Sequence, residues 1–205
     1  MDNGDTIQEL PESQLPLAHF PGTIVVVDTP QALAQALDTI SLQEVLGIDT
    51  ESRPSFHKGE SHPVALLQLA NNTTAWLLRL QRIGLPKELS DILCSPTILK
   101  VGASLHDDWQ RLQRSYGAFT PHAYLDLQGL MPVLGVPGTS LRKMSLALLG
   151  TRVSKQQQLS NWEKDTLSPA QQQYAATDAW LCLQLYRLPV VQAALATQGQ
   201  QAICP

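Results

Sequence analysis

No apolar run in this 205-residue chain approaches the roughly 18 residues that a membrane-spanning helix needs. The N-terminus, Met1-Asp2-Asn3-Gly4-Asp5, is acidic where a secretory signal would be basic. These absences predict a soluble, cytoplasmic protein with no membrane association. Cysteine is scarce: Cys94, Cys182 and Cys204 are odd in number, far apart and without metal-ligand spacing. That excludes a disulfide framework and reads as reduced thiols. An excess of basic residues is also missing, since the net charge is −4. A long polynucleotide is held largely by Lys and Arg against phosphates, so the overall charge argues against that partner. It argues less against an enzyme holding a few nucleotides, because bound metal ions add local positive charge that formal counting omits. There is no internal repeat or low-complexity segment. The 43% hydrophobic content suits one core and one domain.

What is present begins with a polar leader over residues 1–22, dotted with Pro11, Pro16 and Pro21, a composition that packs poorly and predicts flexibility. The domain proper is expected over 23–190. Thr23 to Val27 is a β-branched strand, and Asp28 or Thr29 can cap a helix with Pro30 in its first turn, running to about Ile40. A strand over 45–51 follows, then a polar loop from Arg53 to Pro63 that includes Lys58 and Gly59. Val64 to Ala70 and Thr74 to Leu80 are extended runs about a turn at Asn71-Asn72, so the strands here form a meander. Leu85 to Leu93 is a short helix. Thr97 to Gly102 and a helix from Ser104 to Tyr116 make a strand, turn and helix in the parallel α/β style. Ala123 to Leu125 is a further strand, with Asp126 as the cap of Leu127 to Leu134. Thr139 or Ser140 opens a helix to Gly150. Ser168-Pro169-Ala170-Gln171 is a capping box that opens a long helix to about Arg187. Pro189 is expected to end it, leaving 191–205 as a frayed tail.

The 45–51 strand is the informative one. Its apolar run ends in Asp49 and Glu51, which alternation sends to one face. Two like charges at one site call for a cation, and a divalent metal with oxygen ligands is the usual one. A strand end emerging into water, with both acids solvated, is the alternative that the spacing alone leaves open. On the last long helix Tyr174 and Asp178 are one turn apart among Ala175, Ala176, Ala179, Trp180 and Leu181. A carboxylate in such apolar surroundings needs a partner. His106-Asp107-Asp108-Trp109 opens the helix after a strand, a place where α/β sheets present binding groups.

Asp49, Glu51, Asp108 and Asp178 with Tyr174 make a pattern that resembles the DEDD superfamily of 3′-5′ exonucleases, in the tyrosine-bearing subgroup that includes ribonuclease D and the Werner-type exonuclease domain. The resemblance covers residues 23–188. It rests on Asp49-Thr50-Glu51, on the strand Leu66-Leu67-Gln68-Leu69-Ala70, and on Lys100-Val101-Gly102 with Asp108 eight residues after the lysine. Lys155, Ser160-Asn161-Trp162, Leu167-Ser168 and Tyr174-Ala175-Ala176-Thr177-Asp178 complete it. It implies an α/β, ribonuclease H-like mixed sheet, an antiparallel meander of three strands followed by parallel strands, flanked by helices.

The resemblance also implies hydrolysis of phosphodiesters at the 3′ end of single-stranded RNA or DNA with two Mg²⁺ or Mn²⁺ ions. Asp49 would approach both metals, Glu51 and Asp178 would complete one site, and Asp108 would support the other, partly through water. Tyr174 would orient the attacking water. The count from Lys100 favours Asp108 over Asp107, which is suited to a helix start. Phe56 and His57 after the D-x-E strand, and Lys155 and Arg152 before the last long helix, are candidates for substrate contact. Phe56 would stack on a terminal base, whereas solvated loops are the alternative for Lys155 and Arg152. Trp162 is a hydrophobic anchor as readily as a functional residue. His62 and His106 lack metal-like partners at useful spacing, and no obligate protein partner is evident. A nano-ribonuclease that finishes short oligonucleotides is the alternative within enzymes, and an inactive relative that binds without cleaving is the alternative outside them.

Overall fold

β-branched and apolar runs build one six-stranded sheet in the computed structural model, which describes residues 11–57, 59–198 and 204. Its strands are Thr23–Val27 (β1), Val45–Ser52 (β2), Val64–Ala70 (β3), Thr74–Leu78 (β4), Leu99–Gly102 (β5) and Tyr124–Asp126 (β6), in the order β1-β4-β3-β2-β5-β6. β2, β3 and β4 are the expected antiparallel meander, and β5 and β6 continue parallel from β2. Asn71 makes the hairpin turn by accepting from the N–H groups of Thr73 and Thr74 at 2.9 and 2.7 Å. β1 lies at the outer edge, parallel to β4. Local sequence carried no signal for that pairing, since parallel partners are set by the crossover rather than by a turn.

Helices cover both faces. Pro30–Ile40 (α1), Lys87–Leu93 (α3) and Leu105–Tyr116 (α4) pack Leu33, Ile40, Leu89, Leu93, Trp109 and Leu112 against Ile48 and Leu69. Thr29 caps α1 through Ala32 N–H at 3.2 Å, with Pro30 at its start. A short turn, Leu80–Ile83 (α2), stands where the last residues of the β4 run were expected to remain extended. The opposite face carries Leu141–Met144 (α5), continued by a π-helical turn over Ser145–Leu149, with Pro169–Tyr186 (α6) and Pro189–Gln198 (α7). α6 opens with both bonds of its capping box: Ser168 Oγ accepts from Gln171 N–H at 3.2 Å, and Gln171 Oε1 accepts from Ser168 N–H at 3.0 Å. The Gln171 amide also donates to Ser160 Oγ and to the Asn161 carbonyl, tying the preceding loop to the helix start.

Residues 11–22 and 191–198 are more ordered than their composition predicts. Over residues 11–22 the flexible leader is corrected. A 3₁₀ turn spans Glu12–Gln14, Arg152 Nε donates to the Leu15 carbonyl at 2.8 Å, and Arg152 N–H and C=O pair with Pro16 C=O and Ala18 N–H. Phe20 is buried, with its N–H on Thr177 Oγ1 at 3.1 Å and its ring edge-on to Trp180. Residues 1–10 lie outside the described residues. The frayed tail is corrected over 191–198, because Pro189 starts α7 instead of ending order, and Val191 is buried. Cys204 pairs with Tyr124 backbone to backbone, while 199–203 and 205 lie outside the described residues, as does Lys58.

One close approach positions α6. A Cβ on Gly47 would lie 1.9 Å from the Ala179 carbonyl oxygen and 3.3 Å from Leu183 Cβ. The helix backbone therefore crosses directly over the strand where β2 has no side chain. Since Asp49 and Glu51 share the Gly47 face, this contact sets the height at which Asp178 meets them. Gly47→Ala is expected to lower unfolding free energy by about 1–3 kcal/mol through overpacking, read from urea denaturation, and to weaken Mn²⁺ binding. Unaltered stability would contradict the close approach.

Candidate active site

Alternation along β2 sends Asp49 and Glu51 toward α6 and Thr50 to the other face. The register shifts between Glu51 and Ser52, where the strand leaves the sheet. On α6, Tyr174 and Asp178 lie one turn apart, and Asp178 is buried. Carboxylate oxygens of Asp49, Glu51 and Asp178 all lie within 4.8 Å of one another. Asp108 arrives from the opposite layer in the first turn of α4, where Thr50 Oγ1 donates to its Oδ1 at 2.5 Å. It adjoins the trio without joining it. Asp108 is 8% exposed and Asp107 faces solvent, which separates the two adjacent acids.

Asp126 sets where α4 begins. Its Oδ1 accepts from Ser104 N–H at 3.1 Å and its Oδ2 from Leu105 N–H at 2.8 Å, while Oδ1 also caps the following turn through Gln128 N–H at 3.0 Å. The residue expected to cap one element therefore caps two. Ser104 takes a left-handed conformation (φ 65°) to make this turn.

Burial and mutual repulsion dominate the electrostatics. Burial first, then the charges of Asp178 and Asp108, hold Asp49 well above the usual carboxylate range. Glu51 is raised by burial, then by Asp49, Asp178 and Asp108, and Arg111 opposes this. Burial lifts Asp178 to about 7 and Asp108 to about 6, against the hydrogen bonds from Tyr174 and Thr50 respectively. The Tyr174 hydroxyl is raised by burial, then by Asp178, Glu51 and Asp49, so it stays protonated.

These groups fit a divalent cation. All donors are hard oxygens, and the buried Asp178 Oδ1 has no hydrogen-bond partner. Gln68, directly across from Asp49 in the β2–β3 register, is fully buried with both amide atoms unpartnered. Orphaned polar atoms beside clustered carboxylates suit a charged or polar ligand.

The other sequence candidates divide. Lys155 lines a groove that reaches Tyr174 and Asp178. Arg152 is tied to the N-terminal segment, its Nε donating to the Leu15 carbonyl at 2.8 Å. Phe56 and His57 lie outside the groove that follows Glu51. Phe56 is 71% exposed without a packing partner, and His57 is exposed with its N–H on Glu60. Glu60 Oε2 accepts from the N–H groups of both Phe56 and His57, which ties that loop into a turn. The groove is lined instead by Arg53, His62, Arg111, Arg114 and Gln158. Trp162 is an anchor, fully buried against Leu66, Leu77 and Ala175, its ring 6.0 Å from that of Tyr174. Lys100 faces the other layer, where its ammonium donates to the Ser95 carbonyl at 2.8 Å. Sequence reading missed Arg111, Gln68, Arg142 and Lys143. Only Arg111 carried a signal, three residues after Asp108 and so on the same helix face.

The comparisons bear on this geometry. A family model described as 3′-5′ exonuclease matches residues 24–188. The chain belongs to the 3′-5′ exonuclease family. "Exonuclease 3′-5′ domain-containing protein 2" of Drosophila melanogaster is 34% identical over 148 residues, 70% of this chain, and the chain spans only 25% of that protein's length. Among solved structures, the Nibbler EXO domain of Aedes aegypti superposes with a TM-score of 0.73 at 23% identity, covering 85% of this chain and 89% of that one. Escherichia coli RNase D gives 0.75 at 21%, covering 87% and 47%. These similarities establish the ribonuclease H-like fold, a mixed sheet flanked by helices, for this exonuclease-family chain.

Raised carboxylate pKa values make stability depend on pH with a definite sign. The folded chain binds more protons than the unfolded one between about pH 4 and 7, so metal-free stability falls as pH rises through that window. In EDTA, the melting temperature is expected to be higher at pH 5.5 than at pH 7.5. Mn²⁺ should narrow that gap, and Asp178→Asn should raise the metal-free value at pH 7.5. A flat profile in EDTA, measured by differential scanning fluorimetry, would show that the cluster is not strained by repulsion.

Proposed function

We propose that the chain is a metal-dependent 3′-5′ exonuclease that hydrolyses the terminal phosphodiester of single-stranded RNA or DNA, with two Mg²⁺ or Mn²⁺ ions as cofactor. The observation that carries this is the convergence of Asp49, Glu51 and Asp178 with Tyr174 hydrogen-bonded to Asp178. When bound, divalent ions would supply positive charge to the scissile phosphate and lower the pKa of a water.

The protein's own groups do the rest. Asp49, Glu51 and Asp178 offer the ligand oxygens, and Asp108, steadied by Thr50, supports them from the other layer. The Tyr174 hydroxyl donates to Asp178 and keeps its lone pairs for the attacking water, which it orients. Trp162 holds the Tyr174 ring at its rear. Arg111 offsets the acids on the groove side. The free thiols of Cys94, Cys182 and Cys204 accord with a reducing compartment such as the cytoplasm. Among the described residues no single helix is long and apolar enough to cross a membrane.

A 5′-labelled single-stranded RNA, its DNA counterpart and a dinucleotide, each with Mn²⁺, with Mg²⁺ and with chelator, test this reading. A ladder shortening from the 3′ end and lost in chelator is expected. Asp49→Asn should reduce turnover by about 10³-fold or more, and Tyr174→Phe should lower kcat by about 10²-fold while Mn²⁺ affinity is kept. A rate that falls steeply with strand length would favour the nano-ribonuclease. Metal binding without cleavage of any substrate would instead indicate an inactive relative.

A further inference from the structure

A second groove, which shares Gln158 with the one lined by Arg111, leaves the carboxylates. It runs from Asp178 and Tyr174 past Lys155 to Arg142 and Lys143 on α5, and Glu12 closes its far end. Its volume of about 420 Å³ is within the range of ligand sites. Three cations line it. Arg142 pairs with the Glu12 carboxylate, 130 residues away in sequence, while among the described residues Lys143 and Lys155 have no ion-pair partner. In a chain of net charge −4, three cations against two acids, Glu12 and Asp178, make a local reversal of sign.

The position of Glu12 is not accidental to its segment. Arg152 clamps the backbone at Leu15, Pro16 and Ala18, and Phe20 is buried beyond them, so the strand of chain is held along the groove's edge. Its acid then reaches back onto Arg142, whose own helix is capped by Ser140. Lys143 is held in place too, its stem lying against Gly138, where an added Cβ would meet its Cδ at 2.4 Å.

We propose that Arg142, Lys143 and Lys155 form a subsite for backbone phosphates of the nucleic-acid strand, and that Glu12 is its intrachain occupant, a carboxylate seated where a phosphate binds. This rests on the exonuclease reading for the identity of the ligand. Both partners of the Glu12–Arg142 pair are 40% exposed, so the pair is screened by water and weak. A phosphate displaces it readily. A strand long enough to extend from the carboxylates to α5 must exchange one carboxylate for its own phosphates. Glu12 therefore discriminates against length, and does so most at low ionic strength.

The test is binding to the full-length protein, independent of turnover. A ten-nucleotide single strand carrying a 5′ fluorescein is titrated with Ca²⁺ in place of the catalytic metal, and its anisotropy followed. Glu12→Gln is expected to tighten binding about two- to fivefold at low salt, with the gain fading as NaCl is raised. Arg142→Gln should weaken binding, and the double variant should show no gain from Glu12→Gln. Glu88→Gln, an equal charge change at an exposed position of α3, controls for overall charge. A Glu12→Gln protein that binds no tighter than the parent, or a gain matched by Glu88→Gln, overturns the subsite. Failure of the exonuclease reading shows separately, as absence of cleavage by the parent protein with Mn²⁺.

Discussion

Everything at the site depends on the backbone of α6 resting on β2 at Gly47. No side chain larger than hydrogen fits there against the Ala179 carbonyl, and the approach leaves Asp178 one helical position from the crossing point. The strand supplies Asp49 and Glu51 on the same face, two and four residues on. Close packing in an interior at crystal-like density then translates a missing methyl group into a carboxylate cluster. The capping box at Ser168 and Gln171, and the buried Trp162 behind Tyr174, prevent the helix from sliding along its axis.

That geometry has a cost, which accounts for the cluster's electrostatic character. Four acids from three elements approach one another where water is scarce; burial raises all of them, and neighbouring carboxylates of the cluster raise Asp49 and Glu51 further. The protein tolerates this by bonds that favour ionised oxygens, Thr50 on Asp108 and Tyr174 on Asp178, and by Arg111 at the rim. The residual orphans, Asp178 Oδ1 and the Gln68 amide, are where a cation or ordered water would complete the balance. Beside the cluster, cations line two grooves. One, with Arg53, Arg111 and Arg114, lies open; the other is partly claimed by Glu12.

Much of this was legible in the linear order. Strong local signals marked Pro30 and Thr29 at a helix start, Asn71 at a hairpin, and Ser168 with Gln171 at another helix start, because each satisfies its own backbone groups within a few residues. The D-x-E alternation and the Tyr174–Asp178 spacing told which acids share a face. Composition misled at the ends. Residues 11–22 read as a leader because proline and polar residues pack poorly, yet Arg152 and Thr177 supply the partners that the segment lacks within itself. Phe56 was a stacking candidate by position, and its loop is tied to Glu60 with the ring left exposed.

By itself the sequence determined the chemistry and its periodicity: which carboxylates exist, which face of a strand or helix each occupies, and where elements begin. Those properties are local, set by alternation, helical repeat and capping. Tertiary structure alone decided that Asp108 should reach Thr50 from the other layer, that β1 should join β4, that Gln68 should lie beside Asp49, and that Glu12 should sit on Arg142. Each of these joins residues far apart in the chain, and no local preference encodes a distance that only packing can close.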